Sequence, residues 1–247
     1  MKKEKPAILR EMSLKEYILV FKYFMKKKGC THVAGFVNAP MLYAKPTEEE
    51  LQQLLRDAMK HGTLIQEGEK VDLNPVIYTF INAWTQSKNI AMMKKFSYGD
   101  GQAISFARVE GFYLVAWQNA KNDRVTLMAD SEWDFLYAYL ESEIEKSEPN
   151  KKYKLKKVNQ LFQEQGRDIR LEVDPVTQLV LQCVDNQEGA KIGADALVNV
   201  GKKQFEVIWL DRNQKVDRVE KKENETLKDE IRAYIDRNCP VDPTEGK

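Results

Sequence analysis

Two short polar turns constrain this chain more than any other feature. Gly99-Asp100-Gly101 and the stretch 119–123 each sit between runs rich in β-branched and aromatic residues. Parallel strands need a crossover of a dozen or more residues, so segments joined this closely pair antiparallel. Before the first turn, Met93, Lys95 and Ser97 alternate with Lys94, Phe96 and Tyr98, the period of a half-buried strand. Residues 103–109, 112–117 and 124–128 supply three more strands, so the centre of the chain reads as an antiparallel meander.

Helical periods flank the meander. Ser13 and Glu16 fit a capping box, Met12 is placed to staple onto Tyr17, and Leu14, Tyr17, Ile18, Phe21, Phe24 and Met25 recur at helical spacing. Gly29 is placed to end that helix, and 31–37 reads as extended. A second box opens at Thr47-Glu48-Glu49-Glu50, with Leu51, Leu54, Leu55, Ala58 and Met59 as the apolar stripe and Gly62 as the stop. Leu64 and Ile65 form a short strand or turn before Gly68. Asn74-Pro75 is an N-cap followed by proline at the first helical position, and it predicts a helix burying Val76, Ile77, Phe80, Ile81 and Trp84. After the meander, Ser131 and Asp134 cap a helix with Phe135, Leu136, Tyr139, Leu140 and Ile144 inward. Trp133 and Tyr137 lie four apart, off that stripe, where they suit either a partner or the core.

The polar stretch 147–152, with Pro149, marks the boundary between two halves, about 1–148 and 149–247, of one domain. The second half reads as a helix over 153–165, strands over 169–173, 178–184, 205–210 and 215–220, and a last helix. Thr226 and Asp229 cap that helix, and Leu227, Ile231, Tyr234 and Ile235 point inward. Residues 185–201 give no clear period, and 240–247 reads as a frayed tail. Residues 112–144 and 205–235 share one order: a strand carrying a Trp, a polar turn, a strand and a capped helix. The fold class expected is therefore α/β of the α+β kind, a pseudo-two-fold antiparallel central sheet with flanking helices.

Chemistry-bearing residues are sparse. His32 and His61 are the only histidines, and Cys30, Cys183 and Cys239 are far apart, the pattern of reduced thiols. They form no metal-ligand spacing, and no phosphate loop or nucleophile elbow appears. His61 falls in the last turn of a helix, where it suits the dipole. No catalytic residue, cofactor or metal is expected. The 39 basic and 38 acidic residues give a net charge of +1, against the clustered positive charge of a nucleic-acid footprint. No run approaches membrane-spanning length, and Ala7, Ile8 and Leu9 are too few for a signal peptide, so a cytoplasmic protein without membrane insertion is expected.

Five segments between Pro46 and Leu140 carry a family likeness: Thr47-Glu48-Glu49-Glu50-Leu51, His61-Gly62-Thr63-Leu64-Ile65, Gly68-Glu69-Lys70-Val71-Asp72-Leu73, the helix over 77–84, and 106–116 of the meander. In this order they resemble the EspG-type accessory proteins of type VII (ESX) secretion. The lysine content and the Gly-Asp-Gly hairpin depart from that family. The resemblance implies a cytosolic chaperone that binds helical-hairpin substrates of the WXG/LXG type and delivers them to a secretion ATPase. It also implies partner contact through the hairpin loop Tyr98, Gly99, Asp100, Gly101 and Gln102, with apolar support from Leu227, Ile231, Tyr234 and Ile235. The loop composition equally suits a plain solvent-exposed hairpin. The alternative reading is a winged-helix-like transcriptional regulator, three N-terminal helices with 96–109 as the wing, although residues 75–87 offer it no basic side chain.

Overall fold

Alternating apolar residues in the meander build the centre of the molecule. A computed structural model describes residues 6–28, 46–95, 103–109, 111–119, 124–146, 159–160, 163–164, 166, 170–173, 177–185 and 194–241. Strands β4 (Asn89–Lys95), β5 (Ala103–Val109), β6 (Phe112–Asn119) and β7 (Arg124–Asp130) pair in sequence order, each antiparallel to the next. A second meander, β8 (Thr177–Asp185), β9 (Ala196–Val200), β10 (Gln204–Leu210) and β11 (Val216–Glu223), repeats the plan. The two join through β4 and β8, with Met92 opposite Gln182. With β1 (Ala7–Ser13) added beside β7, the sheet has nine strands in the order β1-β7-β6-β5-β4-β8-β9-β10-β11. The β4–β8 seam is the pseudo-two-fold, and each meander leads into a helix: α4 (Trp133–Lys146) after β7, α5 (Leu227–Asn238) after β11 by way of a 3-10 turn at Asn224–Thr226.

Helices cover one face of the sheet along both halves and the other over the first half. On one, α4 and α5 bury Trp133, Leu136, Leu140, Ile231, Tyr234 and Ile235 against Phe106, Val115, Met128, Phe205 and Val207. On the other face of the first half lie α1 (Leu14–Lys28), α2 (Glu48–Lys60), the small hairpin β2 (Leu64–Glu67)–β3 (Lys70–Leu73) and α3 (Pro75–Gln86). They pack Tyr17, Phe21, Ile77, Phe80, Ile81 and Trp84 onto Ile90, Met92, Leu114, Ala116 and Leu127.

The local signals act as expected where capping is local. Thr47 and Glu50 close a reciprocal capping box, and Asn74 caps α3 by accepting from the Val76 N–H at 3.0 Å, with Pro75 in the first turn. Gly62 ends α2 at φ +70°, a left-handed conformation that side chains rarely adopt, and a Cβ there would stand 3.2 Å from an Arg10 guanidinium nitrogen. Ser13 accepts from the Glu16 N–H at 3.1 Å, while the Glu16 side chain turns inward to Thr63 and His61.

Several expectations need correction. Val76 is 51% exposed, because the buried face of α3 is Ile77, Phe80, Ile81 and Trp84, spaced i, i+3, i+4, i+7. The same spacing in α4 selects Trp133, Leu136, Tyr137 and Leu140, so Phe135 is 44% exposed and the two aromatics set off the stripe are core. Trp133 packs against Phe106, Tyr113 and Tyr137 at centroid distances of 5.9, 5.3 and 5.7 Å. Thr226 makes no side-chain cap to α5; its hydroxyl bonds the Glu223 carbonyl within the preceding 3-10 turn. Residues 170–173 are not a strand, because side chains hold their backbone: Asn159 bonds both the N–H and the C=O of Leu171. Strands β1 and β9 lie where the sequence offered no strand signal. The extended segment 31–37 and the hairpin turn 96–102 lie outside the described residues.

Candidate functional site

The register fixes where the hairpin loop expected to meet a partner leaves the sheet. β4 ends at Lys95 opposite Leu179 of β8, and β5 begins at Ala103 opposite Gln118 of β6. β4 is the fifth of nine strands, so the connection that includes Tyr98, Gly99, Asp100, Gly101 and Gln102 joins two central strands. Those five residues themselves lie outside the described ones. Just inside the sheet, Lys94 donates to the Gln182 amide oxygen at 2.8 Å, and burial lowers its pKa from the ordinary lysine range. Buried Ser105 and Gln118 share that face of the sheet, so its centre at this end is unusually polar.

The second set of expected partner residues is placed clearly. Leu227, Ile231, Tyr234 and Ile235 are all buried under α5 in the core that α5 shares with α4. The Tyr234 hydroxyl donates to Asp195 at 2.7 Å, which also accepts the Cys183 N–H at 2.7 Å. Desolvation first, then the Asp195 carboxyl, drives the Tyr234 pKa upward. These four side chains therefore fasten α5 to the sheet and are core, not surface. The outward side of α5 carries Arg232 and Asp236 instead; Asp236 accepts from the Tyr113 hydroxyl at 3.0 Å and pairs with Arg108 at 3.1 Å.

Other buried polar groups likewise join elements. Glu206, fully buried on β10, accepts from the N–H groups of Glu172 (3.0 Å) and Val173 (3.1 Å) and from Asn199 Nδ2 (2.7 Å), while Asn199 also donates to the Val173 carbonyl. Glu16, at the start of α1, accepts from the Thr63 hydroxyl and lies 3.3 Å from His61 Nδ1, which ties α1 to the C-terminal end of α2. Sequence reasoning missed Glu206, and it read Glu16 as a capping-box residue without these inward contacts. The signal for Glu206 was present: a lone acidic residue inside the apolar run Phe205-Glu206-Val207-Ile208-Trp209. Cys239 is buried and its thiol is pushed up to about 12, desolvation being the main cause, so it is a poor nucleophile. Among the described residues, no cluster of His, Cys, Asp and Glu has the arrangement to hold a metal ion. No helix among them is long and apolar enough to cross a membrane.

The winged-helix alternative fails on topology. Residues 103–109, assigned to the wing, form β5, hydrogen-bonded on both sides inside the sheet, whereas a wing is a free hairpin at the edge of a small domain.

Neither a protein-family model nor a curated protein sequence matches the chain. Its fold does match a solved structure, that of the type VII secretion system chaperone EspG5 from Mycobacterium tuberculosis in complex with the PE25–PPE41 dimer. The TM-score is 0.53 at 8% sequence identity, and the match covers 94% of this chain and 96% of EspG5. The expected EspG-like architecture, a mixed α/β fold around one large antiparallel sheet, is therefore the architecture of this chain.

Proposed function

We infer that this protein is an accessory chaperone of a type VII-like secretion system, acting in the cytoplasm without catalysis. It would hold the apolar tip of a helical-hairpin substrate of the WXG/LXG type and pass it to the secretion ATPase. The observation that carries this reading is the extent of the shared fold. It runs through nearly the whole of both chains, not one common motif, and EspG5 was captured with the PE25–PPE41 dimer bound. The internal chemistry is compatible with it, since the buried polar groups described above link elements of the scaffold.

The docking element we favour is the hairpin loop Tyr98-Gly99-Asp100-Gly101-Gln102. Two glycines and an aspartate suit a turn, and Tyr98 supplies an aromatic that a turn does not require, the kind of side chain that anchors interfaces. Leu227, Ile231, Tyr234 and Ile235 would contribute by holding α5 rigidly on the sheet. The test is to purify the tagged chain from native cytosol, identify what accompanies it by mass spectrometry, and rebuild the pair from recombinant proteins. An equimolar complex with a small, predominantly helical protein is expected. Recovery of nucleic acid, or of a folded enzyme complex and no helical protein, contradicts the reading.

A further inference from the structure

We propose that the chain forms a homodimer by antiparallel pairing of β11 with β11 of a second copy, continuing the sheet through a two-fold axis at Val219. Among the described residues, β11 is the last strand of the sheet, paired only with β10, so one of its edges carries unpaired backbone donors and acceptors. Such an edge accepts any strand of matching register, and the side chains decide which strand fits.

The sequence of β11 is complementary to itself in one register. In a sheet continued through a two-fold axis, residue pairs are symmetric about a single residue. With Val219 on the axis, Arg218 stands opposite Glu220 of the second copy, and Asp217, at the bulge beside Trp209, opposite Lys221. Each of these two pairings occurs twice and joins opposite charges, and beyond them Val216 stands opposite Lys222. Centring on Arg218 or Lys221 sets like charges face to face on the axis. Centring on Glu220 does the same and also opposes Arg218 to Lys222. Directly opposed like charges destabilise a strand pair and opposite ones stabilise it, so of the registers centred on residues 218–221, which overlap most of the strand, the one on Val219 is selected. The residue on that axis, Val219, is 48% exposed and is the one large exposed apolar side chain on the strand. It would meet its own copy, removing two valines from water. The opposite edge, β1, has no such match: Arg10 and Glu11 are adjacent, so no axis on a residue sets them across from each other.

Charged residues on an edge strand also serve to prevent pairing, and the experiment separates the two roles. Sedimentation of the intact chain across a range of concentrations at low salt should reveal a reversible monomer–dimer equilibrium that weakens as salt screens the cross-strand pairs. Val219→Lys places two ammonium groups on the axis and should weaken the dimer at least ~10-fold. Val76→Lys, a change at an equally exposed valine on α3, should leave it unaltered. Arg218→Glu and Glu220→Arg should each weaken the dimer, and the double reversal should restore most of it, because the opposite-charge pairs are rebuilt with their signs exchanged. Thermal melts of each variant check that the monomer is folded. A chain that stays monomeric at every concentration, or a dimer indifferent to Val219→Lys and to the charge reversals, overturns the proposal and leaves β11 as a protected edge.

Discussion

The interior of this protein is held at a few points by single polar side chains, and Glu206 is the clearest of them. Its two oxygens accept from two backbone N–H groups and one amide, and the segment 170–173 makes no strand of its own, so Glu206 and Asn159 do the work that a neighbouring strand does elsewhere. Glu206→Ala strands those buried donors and is expected to destabilise the fold by about 2–4 kcal/mol, lowering the melting temperature by roughly 5–15 °C. Glu206→Gln keeps one acceptor oxygen and should cost less; equal stability of Glu206→Ala and wild type in a denaturant titration would refute the assignment. Glu220 behaves differently because it is at the surface. Hydrogen bonds from Arg218 and then Lys222 lower its carboxyl to about 2. A folded-state value below the unfolded one stabilises the protein above pH ~4.5, and that contribution disappears as pH falls from there toward 2. Exposure limits it to about 0–1 kcal/mol. Comparing Glu220→Gln with wild type in dilute solution should show a small stability gap at pH 6 that closes by pH 2; a gap that widens on acidification would contradict the sign. The partners of Glu220 lie two residues away on either side, on one face of its strand, whereas those of Glu206 were not legible in the sequence. The apolar context of Glu206 was visible, but its donors come from 7 and 33–34 positions away along the chain.

At the scale of elements, legibility follows the range of the interactions that make each one. The caps of α2 and α3 were readable because Thr47, Glu50 and Asn74 bond within three residues. Asn74 does more than cap. Its side chain also donates to the Gly62 carbonyl and its N–H to the Thr63 carbonyl, locking α3 to the end of α2. Asn74→Ala should therefore cost more than the roughly 1 kcal/mol expected for Thr47→Ala, whose cap lies on the exposed surface. Equal losses in urea unfolding would mean that the Gly62 contact is idle. The strands β1 and β9 were illegible for the opposite reason. β1 carries Arg10 and Glu11 and exists because β7 offers an edge, and the five residues of β9 are held between β8 and β10. Val76 on α3 and Phe135 on α4 were assigned inward but are exposed, while Trp133 and Tyr137, set off the α4 stripe, are core. An apolar residue at the start of a helix fits an amphipathic pattern whether or not the sheet reaches it. Trp84, fully buried against the sheet and stacked on Phe80 at 5.5 Å, is the test of the face that was read correctly. Trp84→Ala should cost about 3–5 kcal/mol, whereas Val76→Ala should be nearly neutral in the same unfolding assay.

Among the described residues, the molecule is a nine-stranded antiparallel sheet of two four-strand meanders with β1 added at one edge, each meander closed by a helix on the same face, with the N-terminal helices on the other. A shared order of a strand with a Trp, a turn, a strand and a helix was visible in two segments of the sequence, and the two meanders meet at the β4–β8 seam. The site was less legible than the fold. Interface residues need no fixed spacing, so nothing in Tyr98-Gly99-Asp100-Gly101-Gln102 marks a partner beyond an aromatic in a turn. The claim that matters is that this scaffold carries a helical secretion substrate, and a binding titration tests it most directly. The helical protein recovered with the chain would be titrated against wild type and against the Tyr98→Ala/Asp100→Ala double variant, with melting temperatures taken alongside. The account predicts saturable, equimolar binding by wild type and a loss of roughly 1–3 kcal/mol, about 5- to 150-fold in Kd, in a double variant that melts as wild type does. Unchanged affinity in the folded variant would move the docking face away from the loop, and the absence of any saturable binding to wild type would contradict the chaperone reading itself.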